Sequence, residues 1–248
     1  MALVISFHGC DHKCGVSMIA QSTAEKLAAS SPQKNVLLIH TEQGTGSDYC
    51  PSVSETLENI RPYLAERLFD FSEIISDCKY KNNLFILGGA SKPGSMHLYN
   101  PDMAEYLIES VRKHFDYVIC DTGSEIEHGM CLGALCSSEV IYQITSQSEI
   151  ALKRFVWQQS LYSQLRLKID KLIINKYSPK EVNSKELIAK RLGFNIDDII
   201  CVKYSNYGVS AEDYGRSILF YKDRAFSKSI DLIVSDILQR SLSGDVRP

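Results

Sequence analysis

The stretch ISFHGCDHKCGVSMIAQSTAEKLA, residues 5–28, decides how the rest of the chain is read. An apolar run ends at a small, polar turn that contains Gly15, and beyond it Ile19, Thr23 and Leu27 recur at helical spacing. Strand, turn and helix in that order is the layout of a phosphate-binding loop. Backbone N–H groups at a helix N-terminus attract anions, and a glycine lets a phosphate approach the main chain. Asp11, His12, Lys13, Cys14, Gly15, Val16, Ser17 and Met18 are therefore candidate nucleotide contacts, with the Ser17 hydroxyl a candidate Mg²⁺ ligand. The strict pattern G-x-x-x-x-G-K-[ST] fails, because Val16 stands where the lysine belongs. Taken alone, the loop reads equally well as a plain βα turn with Ser17 as its N-cap.

Working outward, short continuous runs rich in Val and Ile recur along the chain. They are LVISF (Leu3–Phe7), NVLLIH (Asn35–His40), NLFILGG, DYVICD (Asp116–Asp121), EVIYQIT (Glu139–Thr145), KLIINKY (Lys171–Tyr177) and IICVKY (Ile199–Tyr204). Such runs indicate strands buried on both faces, as in a parallel sheet. Helical patterns separate them. Met103, Leu107 and Val111 share one stripe, SEIALKRFVWQQSLYSQL forms a long amphipathic helix that packs on the sheet, and SKELIAKRLG ends at Gly193, a C-cap. The alternation predicts a doubly wound α/β fold, a mostly parallel sheet with helices on both faces. No linker or repeat divides the chain, so residues 1–248 read as one domain. Ser52–Asn82 reads as two helices at a sheet edge.

In doubly wound sheets ligands sit at the carboxyl ends of the strands. Asp121 ends a buried strand and is followed by Thr-Gly, which suits a metal-linked aspartate. Glu42, just after the second strand, is placed to position water or metal, and His40 precedes it on the same face. Each alone also reads as a turn-capping or solvated acid; the ordered set of loop, acid and Asp-x-Gly carries the weight.

The chain has 248 residues, 44% hydrophobic and 23% charged, with a net charge of −3. That balance gives no bulk reason to expect nucleic-acid binding. No apolar run approaches the ~18–20 residues of a membrane span, and the N-terminus lacks a signal-peptide pattern. A cytoplasmic location and reduced thiols follow as expectations. Of the eight cysteines, Cys120, Cys131, Cys136 and Cys201 read as small core hydrophobes. Cys10 and Cys14, with His8 and His12 nearby, offer a minor metal-binding alternative without the second ligand pair of a zinc site.

Taken together, these motifs resemble the MinD/ParA family of deviant P-loop ATPases, and in style its CpaE/TadZ pilus-assembly branch. DHKCGVS (Asp11–Ser17) is similar to the family loop K-G-G-V-G-K-[ST]. HTE matches its Asp-x-Asp, FDYVICDTG its YDYIIIDTPPG and LIINKYSP its GVVLNRY. VKYSNYGVSAEDYGRSI resembles its closing IPYDPAVAEAEREGKPI. The resemblance implies Mg-ATP or Mg-ADP as ligand, Asp121 and Ser17 linked to the metal, and Asn175 packed against adenine. It also implies a protein partner, a homodimer, and work as a positioning or assembly regulator. The family's cross-dimer lysine is Asp11 here, its phosphate lysine Val16 and its first switch acid His40. One unit charge pair at ~4 Å and an effective dielectric of ~20 is worth about 4 kcal/mol. Losing one attraction and gaining one repulsion implies a degenerate loop with weak nucleotide binding and slow or no hydrolysis. Two alternatives remain: a nucleotide-independent scaffold, or an active ATPase in which Lys13 and His12 replace the missing groups, with Lys13, His40 and Glu42 the catalytic candidates. Lys13 is expected either to pair with Asp11 or to swing over the phosphates. The C-terminal amphipathic segment SKSIDLIVSDILQRS has too few bases for a surface-seeking helix and reads as a core helix. Direct membrane association and nucleic-acid binding are accordingly not expected.

Overall fold

The central Val- and Ile-rich runs become strands that are buried from end to end. The computed structural model describes residues 2–44, 48–50 and 52–243. The strands are β1 (Leu3–Gly9), β2 (Val36–His40), β3 (Lys79–Lys81), β4 (Leu84–Leu87), β5 (Tyr117–Asp121), β6 (Val140–Thr145), β7 (Lys171–Tyr177) and β8 (Ile199–Lys203). They form one eight-stranded sheet in the order β3-β4-β2-β5-β1-β6-β7-β8. Every pairing is parallel except that of β3 with β4.

The helices are α1 (Val16–Ser30), α2 (Leu57–Ala65), α3 (Pro101–Val111), α4 (Gly129–Cys136), α5 (Glu149–Gln164), α6 (Lys185–Leu192), α7 (Gly208–Asp213) and α8 (Arg224–Ser243). Local chemistry sets several of their ends. Asn100 caps α3 by accepting from the Met103 N–H at 3.0 Å, with Pro101 in the first turn, the position where proline costs no hydrogen bond. Ser184 caps α6, and Gly193 closes it at φ 77°, a left-handed conformation that favours glycine.

Two large core clusters and a smaller third, around Ile141 and Tyr162, clothe the sheet. α1 and α8 pack with Leu3, Ile5 and Phe7 on one face, where Phe7 stacks on Tyr142 at 5.1 Å. α2, α3 and α4 pack with Val4, Leu37, Ile39 and Val118 on the other. The order places β1 between β5 and β6, so the loop after β1 opens at the sheet's centre, where the crossover direction reverses. Among the described residues no helix is long and apolar enough to cross a membrane.

Three sequence expectations need correction. Ser52–Asn82 forms one helix, α2, then a short 3₁₀ turn at Phe71–Glu73 and the antiparallel edge strand β3, not two helices. Cys136 is exposed at the end of α4, and Cys201 is only half-buried, packed against the core from the edge strand β8. α5 buries Leu152, Phe155 and Tyr162 but leaves Ile150 and Trp157 in solvent, so only part of its apolar stripe meets the protein.

α8 is a core helix: Phe226, Ile230, Ile233 and Ile237 are buried against α1 and β8. Ile233→Ala is expected to cost about 2–5 kcal/mol of stability. Leu232→Ala, one residue along on the exposed side, should stay within about 0.5 kcal/mol. Urea titration reads the first as a lower midpoint with unchanged slope. Equal midpoints would mean that α8 does not contribute to the core.

Candidate functional site

The loop is fastened at both its ends. The Gly9 N–H donates to the Gly123 carbonyl at 2.6 Å and the Cys10 N–H to Ile144 at 2.9 Å, tying it to β5 and β6. Lys13 turns left-handed at φ 60° and Gly15 follows at φ 86°. Asn175, at the end of β7, donates its Nδ2 to the Cys14 carbonyl at 2.7 Å. A Cβ at Gly15 would stand 2.4 Å from that nitrogen, so glycine is required twice over, by conformation and by space. The Asn175 side chain is thus engaged by the loop's own backbone.

Val16 opens α1 and is only 6% exposed, packed in the core. Its Cγ2 lies 2.7 Å from where a Cβ on Gly9 would be. The residue at the lysine position therefore closes the space beneath the loop and carries no charge above it. α1 has no side-chain cap, so its first-turn N–H groups remain available to an anion. Ser17 is half-buried in that first turn.

The structure brings His40 and Asp121 together. They are register partners on β2 and β5, and His40 Nδ1 donates to Asp121 Oδ2 at 2.9 Å. The other carboxylate oxygen accepts from the Gly123 N–H at 3.2 Å, and the aspartate is 3% exposed. Mg²⁺ demands oxygen ligands in near-octahedral order. A carboxylate whose two oxygens are taken by an imidazole and a backbone N–H, with the His40 Nε2 buried beside it, fits that ion poorly.

The other charged positions are also committed. Asp11 pairs with Arg154 of α5 rather than with Lys13. His12 Nε2 lies 2.6 Å from Glu125 and its Nδ1 3.2 Å from the Ser124 hydroxyl. Glu42 accepts from the Ser124 N–H at 2.8 Å and the Glu125 N–H at 3.2 Å. Burial, and then the nearby Asp121 charge, raise the Glu42 carboxyl from 4.5 to about 7 against those two N–H donors. Lys13 makes no side-chain hydrogen bond or ion pair among the described residues.

The cysteine–histidine set does not converge. Cys10 turns to Thr145 and the Ala151 carbonyl, at 3.2 and 3.3 Å. His8 points to Thr122 at 3.0 Å and is lowered to about 4 by burial. The contact with Cys14 draws the Cys10 thiol below its ordinary range, and the same contact with burial pushes Cys14 up. Among the described residues no group of His, Cys, Asp and Glu is arranged to hold a metal ion.

A cavity of about 300 Å³ opens beside the loop, at the carboxyl ends of β7 and β8. Lys13, Gly15 and Asn175 border it on the loop side, and Met18, Ile218 and Phe226 form an apolar wall. Lys176 and Lys203, which the sequence reading passed over, also line it. Their only signal was adjacency: one follows Asn175 and the other ends a strand. A larger cleft of about 540 Å³ lies along the β8 edge beside Lys171 and Leu232, but it is more open and is not bordered by the loop.

Glu42 links this geometry to pH. The folded state holds its proton more tightly than the unfolded chain does. Its contribution therefore favours folding below pH 4.5 and is lost as pH rises through about 7. His8, depressed to about 4, acts in the opposite sense over an overlapping range, so the variant must be read against the parent. The stability of Glu42→Gln relative to the parent should rise between pH 4.5 and about 7 and level off above. A difference independent of pH in urea titrations would refute the raised carboxyl.

No protein-family model matches the chain. The septum site-determining protein MinD of Buchnera aphidicola (subsp. Acyrthosiphon pisum) is 28% identical over 125 residues, 47% of this chain and 45% of that protein. The match thus spans less than half the length of that relative. Among solved structures, a ParA family ATPase from Chlorobium tepidum superposes with a TM-score of 0.80 at 19% identity, covering 93% of this chain and 96% of the other. MinD of Pyrococcus horikoshii, solved with Mg-ADP, gives 0.72 at 18% identity over 94% and 96%. The MinC:MinD complex of Aquifex aeolicus gives 0.67 at 17% over 94% and 96%. With an eight-stranded, mostly parallel sheet and these superpositions, the chain has the MinD/ParA P-loop NTPase fold.

Proposed function

We propose that this protein is a nucleotide-binding regulator of the MinD/ParA type that positions or assembles a partner and hydrolyses ATP slowly or not at all. One observation carries the reading: an open cavity with a lysine rim adjoins the loop, while the acid that would serve a metal is held by His40. Binding needs only the cavity, Gly15 and the first-turn N–H groups of α1. Hydrolysis needs a cation over the phosphates, and Val16 supplies none. The fold neighbours include MinD with Mg-ADP and an ATP complex of a Cyanothece McdA variant, which supports a nucleotide as ligand. MinD with MinC supports a protein partner by likeness, and a homodimer remains part of the proposal. The missing second lysine is the feature that suggests the CpaE/TadZ pilus-assembly branch.

A second reading, a scaffold that needs no nucleotide, draws on the internal pairing of Asp11, Asp121 and Asn175. An active ATPase built on His12 is less well supported, because Glu125 and Ser124 hold that ring.

Thermal unfolding with millimolar ATP or ADP separates the readings, since a ligand of the native state must stabilise it. The expected result is a raised midpoint with phosphate release far below the about 1–10³ s⁻¹ of ordinary enzymes. An unchanged midpoint would leave the scaffold, and turnover within that range would leave the active ATPase.

A further inference from the structure

We infer that the anion-binding end of the site is the part of the cavity lined by Lys13, Lys176 and Lys203, and that its ligand is a nucleoside monophosphate bound without a metal ion. This rests on the nucleotide-binding reading above and narrows it.

The distribution of charge carries the inference. On the switch side of the loop stand Asp11, Glu42, Asp121 and Glu125. The cationic or imidazole groups there are each already used: Arg154 by Asp11, His40 by Asp121 and His12 by Glu125. Val16 adds no charge. A second or third phosphate extended over this side meets carboxylates and, among the described residues that form it, no uncommitted cation, and the Asp121 pairing leaves Mg²⁺ poorly placed to screen it.

The cavity side is the reverse. The Lys13 ammonium is without a side-chain partner among the described residues. Lys176 Nζ donates to the Lys13 carbonyl at 3.0 Å, a contact that positions the ammonium without neutralising it. Lys203 Nζ rests over the Tyr177 ring at 4.8 Å, which likewise leaves its charge intact. Glu212 is the acid among the residues lining this cavity.

Shape and lining agree with the charge. Met18, Tyr49, Ile218 and Phe226 offer an apolar wall for a flat base, and Ser205 and Asn206 offer polar groups beside it. The volume, about 300 Å³, lies at the lower end of the about 300–1,000 Å³ range of small-molecule sites. That suits a base, a sugar and one phosphate. A phosphate on the lysine rim gains charge-assisted hydrogen bonds, and the base enters where the wall is apolar.

Isothermal titration of the full chain with AMP, ADP and ATP, each in Mg²⁺ and in EDTA, tests this. Affinity is expected to fall from AMP to ATP, with AMP binding unchanged by EDTA. Lys203→Ala should weaken AMP about five- to tenfold, its unfolding midpoint confirming the fold. Lys153→Ala, on α5 outside the cavity, should leave AMP binding unchanged. Affinity that rises from AMP to ATP and requires Mg²⁺ would overturn the inference and leave nucleotide binding standing. AMP binding indifferent to Lys203→Ala would also overturn it. Failure of all these nucleotides to bind would remove both readings.

Discussion

The amide of Asn175 is the constraint on which the site's shape rests. It reaches from β7 to the Cys14 carbonyl and occupies the space that a side chain at residue 15 would need. A buried carbonyl left without that donor costs about 1–3 kcal/mol, and Lys176 adds a second side-chain tie to the same turn at the Lys13 carbonyl. With this tie in place, Val16 settles into the core beneath the loop and α1 begins uncapped. Lys13 is carried outward to the cavity rim. Position in the sheet, loop conformation and the cavity beside it are thus one mechanical unit joining β1 to β7.

The same logic explains why the altered charges are tolerated. A buried carboxylate without a partner is strongly destabilising. In an active P-loop site a metal ion and lysines would meet that demand; here His40 meets it for Asp121 from the neighbouring strand. At the more exposed Asp11, Arg154 from α5 supplies the opposite charge, and backbone N–H groups share the load at Glu42. Each departure from the P-loop pattern has a counterpart within the chain, so the native state is electrostatically complete without a cation in the loop. Among the charged groups that border the site, what remains unspent is the positive charge of Lys13, Lys176 and Lys203.

The sheet was legible from sequence because strands buried on both faces are written as unbroken runs of Val and Ile, and β7 matches its run end to end. β3 was not, since LysTyrLys is a short, charged edge strand defined only by its pairing to β4. The loop and its acids were legible as positions but not as contacts. Asp11 meets Arg154 across 143 residues and Asn175 meets Cys14 across 161; nothing local marks either pair. The cavity was hidden for the same reason, because its wall joins Met18 to Ile218 and Phe226. α5 shows the converse: its amphipathic pattern placed it on the sheet, yet Ile150 and Trp157 stay in solvent, because the apolar stripe is wider than the surface it covers.

Residue 11 bears on how a second copy would engage the site. In the resemblance, that position carries a lysine which reaches a nucleotide across a dimer. The Asp11–Arg154 pair is not itself a strong barrier to such a reach, because Arg154 is half exposed and exposed ion pairs contribute about 0–1 kcal/mol. Sign is the stronger barrier. A carboxylate freed from its arginine and carried to a partner's phosphates would be repelled, and the repulsion grows as the approach excludes water. Breaking the pair therefore exchanges a small gain for a larger loss. Closure of two copies over nucleotide through this residue is opposed by charge, even where backbone and shape would permit it. If a nucleotide controls pairing in this protein, the control has to run through groups other than residue 11, and the lysines that line the cavity beside the loop are the nearest cations to take that part.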